Sequence, residues 1–168
     1  MFIKTERLTL KPYSNNDKEA MIDLLTNNTI KKTFMIPDFQ TEEEGIQMFN
    51  RLKAFSLSDE HYEAGIFLND ILIGFLNDVE IFDNKIELGY VINPEYNNCG
   101  YATEALKGAI SYLFKRGFSE IIAGAFESNT ASIKVMKKAG MNKLEREEDI
   151  EYRGTIHHCL YYSIKKSN

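Results

Sequence analysis

The sequence is poor in cysteine, has no long apolar run and carries no excess of basic residues. Its two cysteines, Cys99 and Cys159, form neither a Cys-x-x-Cys pair nor a metal-type cluster. That excludes a disulfide framework and implies no metal, and it makes a reducing cytoplasm the expected setting. No apolar stretch approaches the ~20 residues that span a bilayer, and the opening MFIKTERLTLK lacks the apolar core of a signal peptide. A membrane is therefore not an expected partner. With 20 basic and 25 acidic residues the formal net charge is −5. This argues against nucleic-acid binding, which wants a basic face, and it suits a cationic or amine-bearing substrate. Two phosphate-binding signatures are missing as well. There is no Gly-x-x-x-x-Gly-Lys-Ser/Thr of an NTPase loop and no Gly-x-Gly-x-x-Gly of a dinucleotide fold. Nor is there an internal repeat, a low-complexity segment or a linker, so the 168 residues are expected to form one globular domain, 1–168.

What is present is a strand, a polar loop and a helix in succession between Ile86 and Arg116. Ile86, Leu88, Tyr90 and Ile92 alternate with Glu87, Gly89 and Val91, the period of a strand. Pro94, which has no N–H to donate, stops the ladder. After Tyr96-Asn97-Asn98-Cys99-Gly100-Tyr101, apolar residues at Ala102, Ala105, Leu106, Ala109, Ile110, Leu113 and Phe114 mark one buried helix face. A helix start has N–H groups without internal partners and a partial positive charge. Gly100 lets the backbone approach a ligand closely. Such a place binds phosphate, although Gly100 would equally relax a tight turn.

Strands are expected at Glu6 to Pro12, Tyr62 to Leu68, Ile71 to Ile81, Lys85 to Asn93, Glu120 to Phe126, Met141 to Ile150 and Thr155 to Lys165. Turn signals lie at Asn69-Asp70, Asp83-Asn84 and Tyr152-Arg153-Gly154. Helices are expected after the capping cluster Ser14 to Asp17, from Thr41 to about Leu57, through the central segment and from Asn129 to Lys138. Thr29 to Phe34 reads as a short helical piece. The Lys85 strand and its two predecessors form an antiparallel trio. The nearly unbroken apolar run at Glu120 to Phe126 reads as an interior strand.

The loop Asn97-Asn98-Cys99-Gly100-Tyr101-Ala102 resembles motif A of the GNAT superfamily of N-acetyltransferases, Arg/Gln-x-x-Gly-x-Gly/Ala, with Asn97 in place of Arg or Gln. The longer string Glu87-Leu88-Gly89-Tyr90-Val91-Ile92 … Gly100-Tyr101-Ala102-Thr103-Glu104-Ala105 is similar to the Rim-type ribosomal-protein N-terminal acetyltransferases, and the element order matches over nearly the whole chain. The resemblance implies an α/β (α+β) fold. Its sheet would be mixed, mostly antiparallel and seven-stranded, with about four helices and with the fourth and fifth strands splayed. It implies acetyl-CoA as cofactor and a primary amine as acceptor, on a small molecule, a peptide or a protein N-terminus. The amine would attack directly, without a metal. A homodimer stays open. The alternative is a CoA-binding or regulatory module that has lost catalysis.

By the same resemblance Asn97, Asn98, Cys99, Gly100, Tyr101, Ala102 and Thr103 would cradle the pyrophosphate through main-chain N–H groups. Tyr90, Val91 and Ile92 would pair with the pantetheine arm, with Ala125 to Glu127 across the gap. An N–H near Ile92 would polarise the acetyl oxygen. Asn129 either caps its helix or holds the cofactor arm beside Ser132, and the two roles are compatible. Many relatives carry a tyrosine on that helix to protonate the departing thiolate; the matching position here is Met136. A thiol with pKa about 8.5 also leaves tolerably unassisted.

Glu87 is a candidate general base and equally a structural partner, and Glu80 is a weaker candidate. Glu104 belongs to the first helical turn, where a carboxylate steadies the helix end. Cys99 has no local histidine and is read as a bystander. His157 and His158 are adjacent on a strand and so face opposite ways, which excludes a shared metal. His158 sits where relatives often carry Asp and is read as structural. Met35 to Leu57 and the Tyr152-Arg153-Gly154 hairpin are expected to shape the acceptor pocket.

Overall fold

A computed structural model describes residues 1–167. Eight strands form one sheet: β1 (Ile3–Lys4), β2 (Leu8–Lys11), β3 (Ala64–Leu68), β4 (Ile71–Phe82), β5 (Lys85–Ile92), β6 (Glu120–Phe126), β7 (Asn142–Tyr152) and β8 (Thr155–Lys165). Their spatial order is β1-β2-β3-β4-β5-β6-β8-β7. The β5–β6 pair is parallel, and every other described pair is antiparallel. The expected seven strands become eight because Ile3–Lys4 folds back onto Thr9 and Leu10. Two residues carry too little alternation to announce a strand. The fourth and fifth strands of the expected fold are therefore β5 and β6.

The helices are α1 (Lys18–Thr26), α2 (Glu42–Leu57), α3 (Tyr101–Lys115) and α4 (Thr130–Lys138). Ser14 and Asp17 form a capping box ahead of α1, and Thr41 Oγ1 caps α2 by accepting from Glu44 N–H. The Thr29 to Phe34 piece is a single 3-10 turn at Ile30–Lys32. Both hairpin turns that precede β4 and β5 place two residues at positive φ, Asn69 and Asp70, then Asp83 and Asn84. That geometry matches the right-handed twist of the flanking strands.

Two apolar layers sandwich the sheet. On one side Leu8, Leu10, Ile66, Ile73, Leu76, Ile86 and Leu88 meet Leu106, Ala109 and Leu113 of α3 and Met136 of α4. On the other, Phe67, Leu72, Phe75 and Val91 meet Met21, Leu24 and Leu25 of α1 and Phe49 of α2. Neighbouring residues of β5 thus serve opposite layers. A third cluster, Ile122, Phe126, Cys159 and Tyr161, covers β6 and β8 beyond the reach of α1 and α2.

One buried acid stands outside this apolar logic. Glu63 is 2% exposed and is hydrogen-bonded by the Tyr13 hydroxyl. Burial pushes its carboxyl up to about 8; the Tyr13 bond opposes the rise, and the nearby Asp78 charge adds to it. A folded-state pKa above the unfolded one means that the native state holds the proton more tightly. Its stabilising contribution is complete below the unfolded value of 4.5 and is lost as pH rises toward 8. Glu63→Gln, which still accepts from Tyr13, should remove that slope. It should raise unfolding stability near pH 8 by about 4 kcal/mol, with little change at pH 4. Urea titrations at the two pH values measure this, and an equal effect at both would contradict it.

Candidate functional site

The loop before α3 is built so that its backbone faces outward. Asn98 and Gly100 both adopt positive φ, 62° and 83°. Gly100 is the N-cap of α3 in the left-handed region, where a β-branched residue is strained. Glu104 N–H bonds to Gly100 O at 3.0 Å. The N–H groups of Tyr101, Ala102 and Thr103 precede that bond and have no helical acceptor.

Arg7 ties this loop to the start of the chain. Its Nη1 donates to Cys99 O at 3.0 Å and its Nε to Glu104 Oε2 at 2.7 Å, and the guanidinium lies over the Tyr101 ring. Thr5 Oγ1 and Arg7 N–H also donate to Glu104. Burial alone would push the Glu104 carboxyl up, but these donors outweigh it and hold it low. Glu104 is therefore a structural anchor, as its first-turn position suggests. Beside the loop lies a cleft of about 360 Å³, lined by Asn97, Asn98, Gly100 to Thr103, Thr130 and Lys134 among others, with Lys138 at its edge. Lys134 and Lys138 sit one turn apart on α4 and add positive charge next to the α3 N-terminus.

Beyond the loop the sheet opens. β5 and β6 pair only at Lys85 to Leu88 against Glu120 to Ala123. Past Leu88, β5 continues along β4 and β6 continues along β8, so a gap separates them. Asn93 N–H bonds to Ile73 O of β4 at 2.7 Å. Strand alternation then turns the main-chain groups of Ile92 and Tyr90 away from β4, toward the gap. Gly74 permits this close run: a Cβ there would lie 2.1 Å from Val91 O.

A second cleft, about 190 Å³, passes through the gap. Its α4-side wall includes Asn129, Ala131, Ser132 and Val135. Its opposite wall includes Thr29, Ile30, Thr33 and Phe34, and Leu88 to Ile92 and Gly124-Ala125 form the rims. Of the Ala125 to Glu127 stretch, Ala125 reaches the gap; Phe126 turns into the third apolar cluster, and Glu127 N–H is taken by His158 O.

Asn129 caps α4, its Oδ1 accepting from Ser132 N–H at 3.1 Å, while the same residue lines the gap. The Tyr90 hydroxyl lies 2.7 Å from Ser132 Oγ, and burial pushes its pKa up to about 12. Met136 is fully buried in the α3 layer, one turn further along α4. A hydroxyl pair thus stands on the α4-side wall, where Met136 offers no proton.

Glu87 is 7% exposed, alternates with Ile86 and Leu88 of the α3 layer and so lies on the opposite side, and it lines neither cleft. Arg146 Nη1 donates to its Oε2 at 2.9 Å, and Arg146 Nε donates to Glu148 at 2.9 Å across the Tyr161 ring. Burial raises the Glu87 pKa and Arg146 opposes the rise. Glu80 faces Glu87 across the β4–β5 register but is exposed. His157 stacks on Phe126 with centroids 4.3 Å apart, whereas His158 bonds Asp149 and Glu147 on the exposed side. Among the described residues no His, Cys, Asp and Glu grouping fits a metal ion. The exposed Cys99 and the buried Cys159 are both free.

The β7–β8 turn is tied to the Phe34 to Gln40 segment, of which Phe34 lines the cleft through the gap. The Tyr152 hydroxyl sits at 3.3 Å from Phe34 O and 3.4 Å from Ile36 N. Asp38 pairs with both Lys31 and Arg153. Met35 to Leu57 and Tyr152-Arg153-Gly154, expected to shape the acceptor pocket, line neither cleft; the hairpin instead braces the segment that follows Phe34. Arg7, Lys134, Lys138 and the Thr29 to Phe34 wall were not picked out from sequence. The two lysines show helical spacing, but their proximity to α3 depends on the tertiary fold.

Residues 7–142 match the family model described as Acetyltransferase (GNAT) domain. The chain is 32% identical over 146 residues to the Bacillus subtilis protein named uncharacterized N-acetyltransferase YnaD, covering 85% of this chain and 84% of that one. A crystal structure of a GNAT-family acetyltransferase from Bacillus anthracis superposes with TM-score 0.84 at 30% identity, covering 98% of each chain. The structure of RimL, a ribosomal L7/L12 alpha-N-protein acetyltransferase in complex with coenzyme A, shares the fold with TM-score 0.87 at 17% identity and 98% coverage of both chains.

Proposed function

Because the chain belongs to the GNAT acetyltransferase family, we propose how its own residues perform acetyl-CoA-dependent N-acetylation. The observation that carries the reading is the gap between β5 and β6, which is open to α4 on one side and to Thr29–Phe34 on the other. Cofactor and amine enter from opposite faces and meet at the strand edge. That arrangement supplies proximity without a covalent enzyme intermediate.

On the α4 side the Asn97 to Thr103 main chain receives the pyrophosphate, helped by Lys134 and Lys138. Tyr90, Val91 and Ile92 present the strand edge to the pantetheine arm, and Asn129 and Ser132 flank it. The Ile92 N–H donates to the acetyl oxygen as charge builds there. The amine nitrogen bonds to the acetyl carbon, the carbon–sulfur bond breaks, and the amine proton passes to Glu87 through water. The departing thiolate, whose thiol has a pKa of about 8.5, leaves unassisted and takes its proton from water, while the Tyr90 and Ser132 hydroxyls hold each other on the α4-side wall. RimL shares the fold at 17% identity, and the acceptor of this chain is argued from its own residues. Two free thiols suit a cytoplasmic setting, and among the described residues no helix is long and apolar enough to cross a membrane.

The test follows free thiol release from acetyl-CoA with and without an amine panel, alongside calorimetric binding of acetyl-CoA. Amine-dependent release is expected. Tight binding with no release on any amine would favour a silent CoA-binding module. A Lys134→Ala/Lys138→Ala double variant should bind acetyl-CoA about tenfold more weakly at low salt, and the deficit should shrink in high salt. A deficit independent of salt would remove the two lysines from the phosphate site.

A further inference from the structure

Among the described residues, one buried side-chain polar atom has no hydrogen-bond partner: Asn77 Oδ1. Its amide is oriented by Nδ2, which donates to Asp78 O at 3.1 Å. Asn77 stands on β4 directly opposite Gly89 of β5. The oxygen overlooks that glycine, since a Cβ built on Gly89 would lie 2.8 Å from Oδ1. The Phe34 ring closes the same spot, 3.1 Å from that point, and rests edge-on against Phe75. Leaving a buried carbonyl unpaired costs about 1–3 kcal/mol, and a native exception calls for an explanation.

The location supplies one. Gly89 and Phe34 both line the through-sheet cleft, on the wall away from α4. Ile30, Thr29, Thr33 and Val91 complete that wall, and none carries a charge. The carboxylate on the same face of β5, Glu87, is paired with Arg146 and is not among the residues lining the cleft, so it reaches a bound amine only through water and offers no direct ion pair. A site with a free carbonyl and no free anion suits an N–H donor on an uncharged body, and a polycation gains nothing there.

We propose that Asn77 Oδ1 receives a hydrogen bond from the acceptor amine above Gly89 once Phe34 moves aside, and that the acceptor is a primary amine on an uncharged, partly apolar body. The inference rests on the acetyltransferase reading and adds the amine subsite to it. Asn77 holds the nitrogen by its proton and leaves the lone pair directed at the acetyl carbon.

Asn77→Leu tests this with 2-phenylethylamine as the acceptor and spermidine as the polycationic control. The variant should melt higher, because an unpaired carbonyl is gone, and should bind acetyl-CoA as the wild type does. Its KM for 2-phenylethylamine should rise by roughly three- to tenfold, the scale of one lost hydrogen bond. Asn77→Ala should show the same KM split if leucine crowds Phe34. An unchanged amine KM in a folded variant overturns the inference, as does a rise in both KM values together with a lower melting point. A wild type that acetylates spermidine but not 2-phenylethylamine overturns the assigned amine class. Failure of the wild type to bind acetyl-CoA at all would instead overturn the enzyme reading beneath it.

Discussion

Glu87→Gln should lower turnover by roughly 10²–10⁴-fold, the usual span of general acid–base assistance, while acetyl-CoA affinity stays unchanged. Direct attack requires a neutral amine, so the proton must leave before or during bond formation. Burial of Glu87 raises its affinity for that proton, and Arg146 keeps the carboxylate populated by opposing the shift. The loss should diminish as pH rises, because more amine is then neutral without help. A purely structural Glu87 has another signature. Breaking its bond to Arg146 would leave the guanidinium with Glu148 alone and lower thermal stability, with turnover per folded molecule nearly constant at every pH. The pH profile of kcat, normalised to folded protein, separates the two.

Gly100→Val should weaken acetyl-CoA binding by about a hundredfold, whereas Cys99→Ser should change it little. The glycine sits at φ 83°, where a β-branched residue costs on the order of 1–3 kcal/mol. A chain that relaxes out of this conformation turns the α3 N–H groups away from the phosphates. The space itself is not the obstacle, since a Cβ at Gly100 meets only Arg7 Nη2, at 3.4 Å. Gly100→Ala should accordingly fall between valine and wild type. Equal affinities for the valine and serine variants by calorimetry would remove the loop from the cofactor site.

The strand, loop and helix start proposed to hold the cofactor were legible in the sequence because they are local. A strand, a loop with glycine and an amphipathic helix lie within one stretch, and Gly100 marks the backbone turn that exposes the N–H groups. The paired Asn-Asp signals were equally local and announced two hairpins correctly. Ile3–Lys4 escaped because pairing, not patterning, makes it a strand. The acceptor half was illegible for a related reason. Phe34, Asn77 and Gly89 come from three separate segments, and only the bulged β4–β5 register sets Asn77 against Gly89. Glu87 could be named as a candidate, but its bond to Arg146 joins residues on β5 and β7 and no periodicity reports it. Likewise, the Thr5–Arg7–Glu104 contacts explain why Glu104 anchors the loop, something that first-turn position alone only suggested.

The most direct measurement is a single turnover with acetyl-labelled cofactor and 2-phenylethylamine, followed by mass spectrometry of both the small molecules and the protein. The account predicts label on the amine nitrogen, free thiol released only when amine is present, and no labelled protein at any time point. Label retained on the protein, or thiol released at the same rate without amine, would contradict direct transfer across the β5–β6 gap.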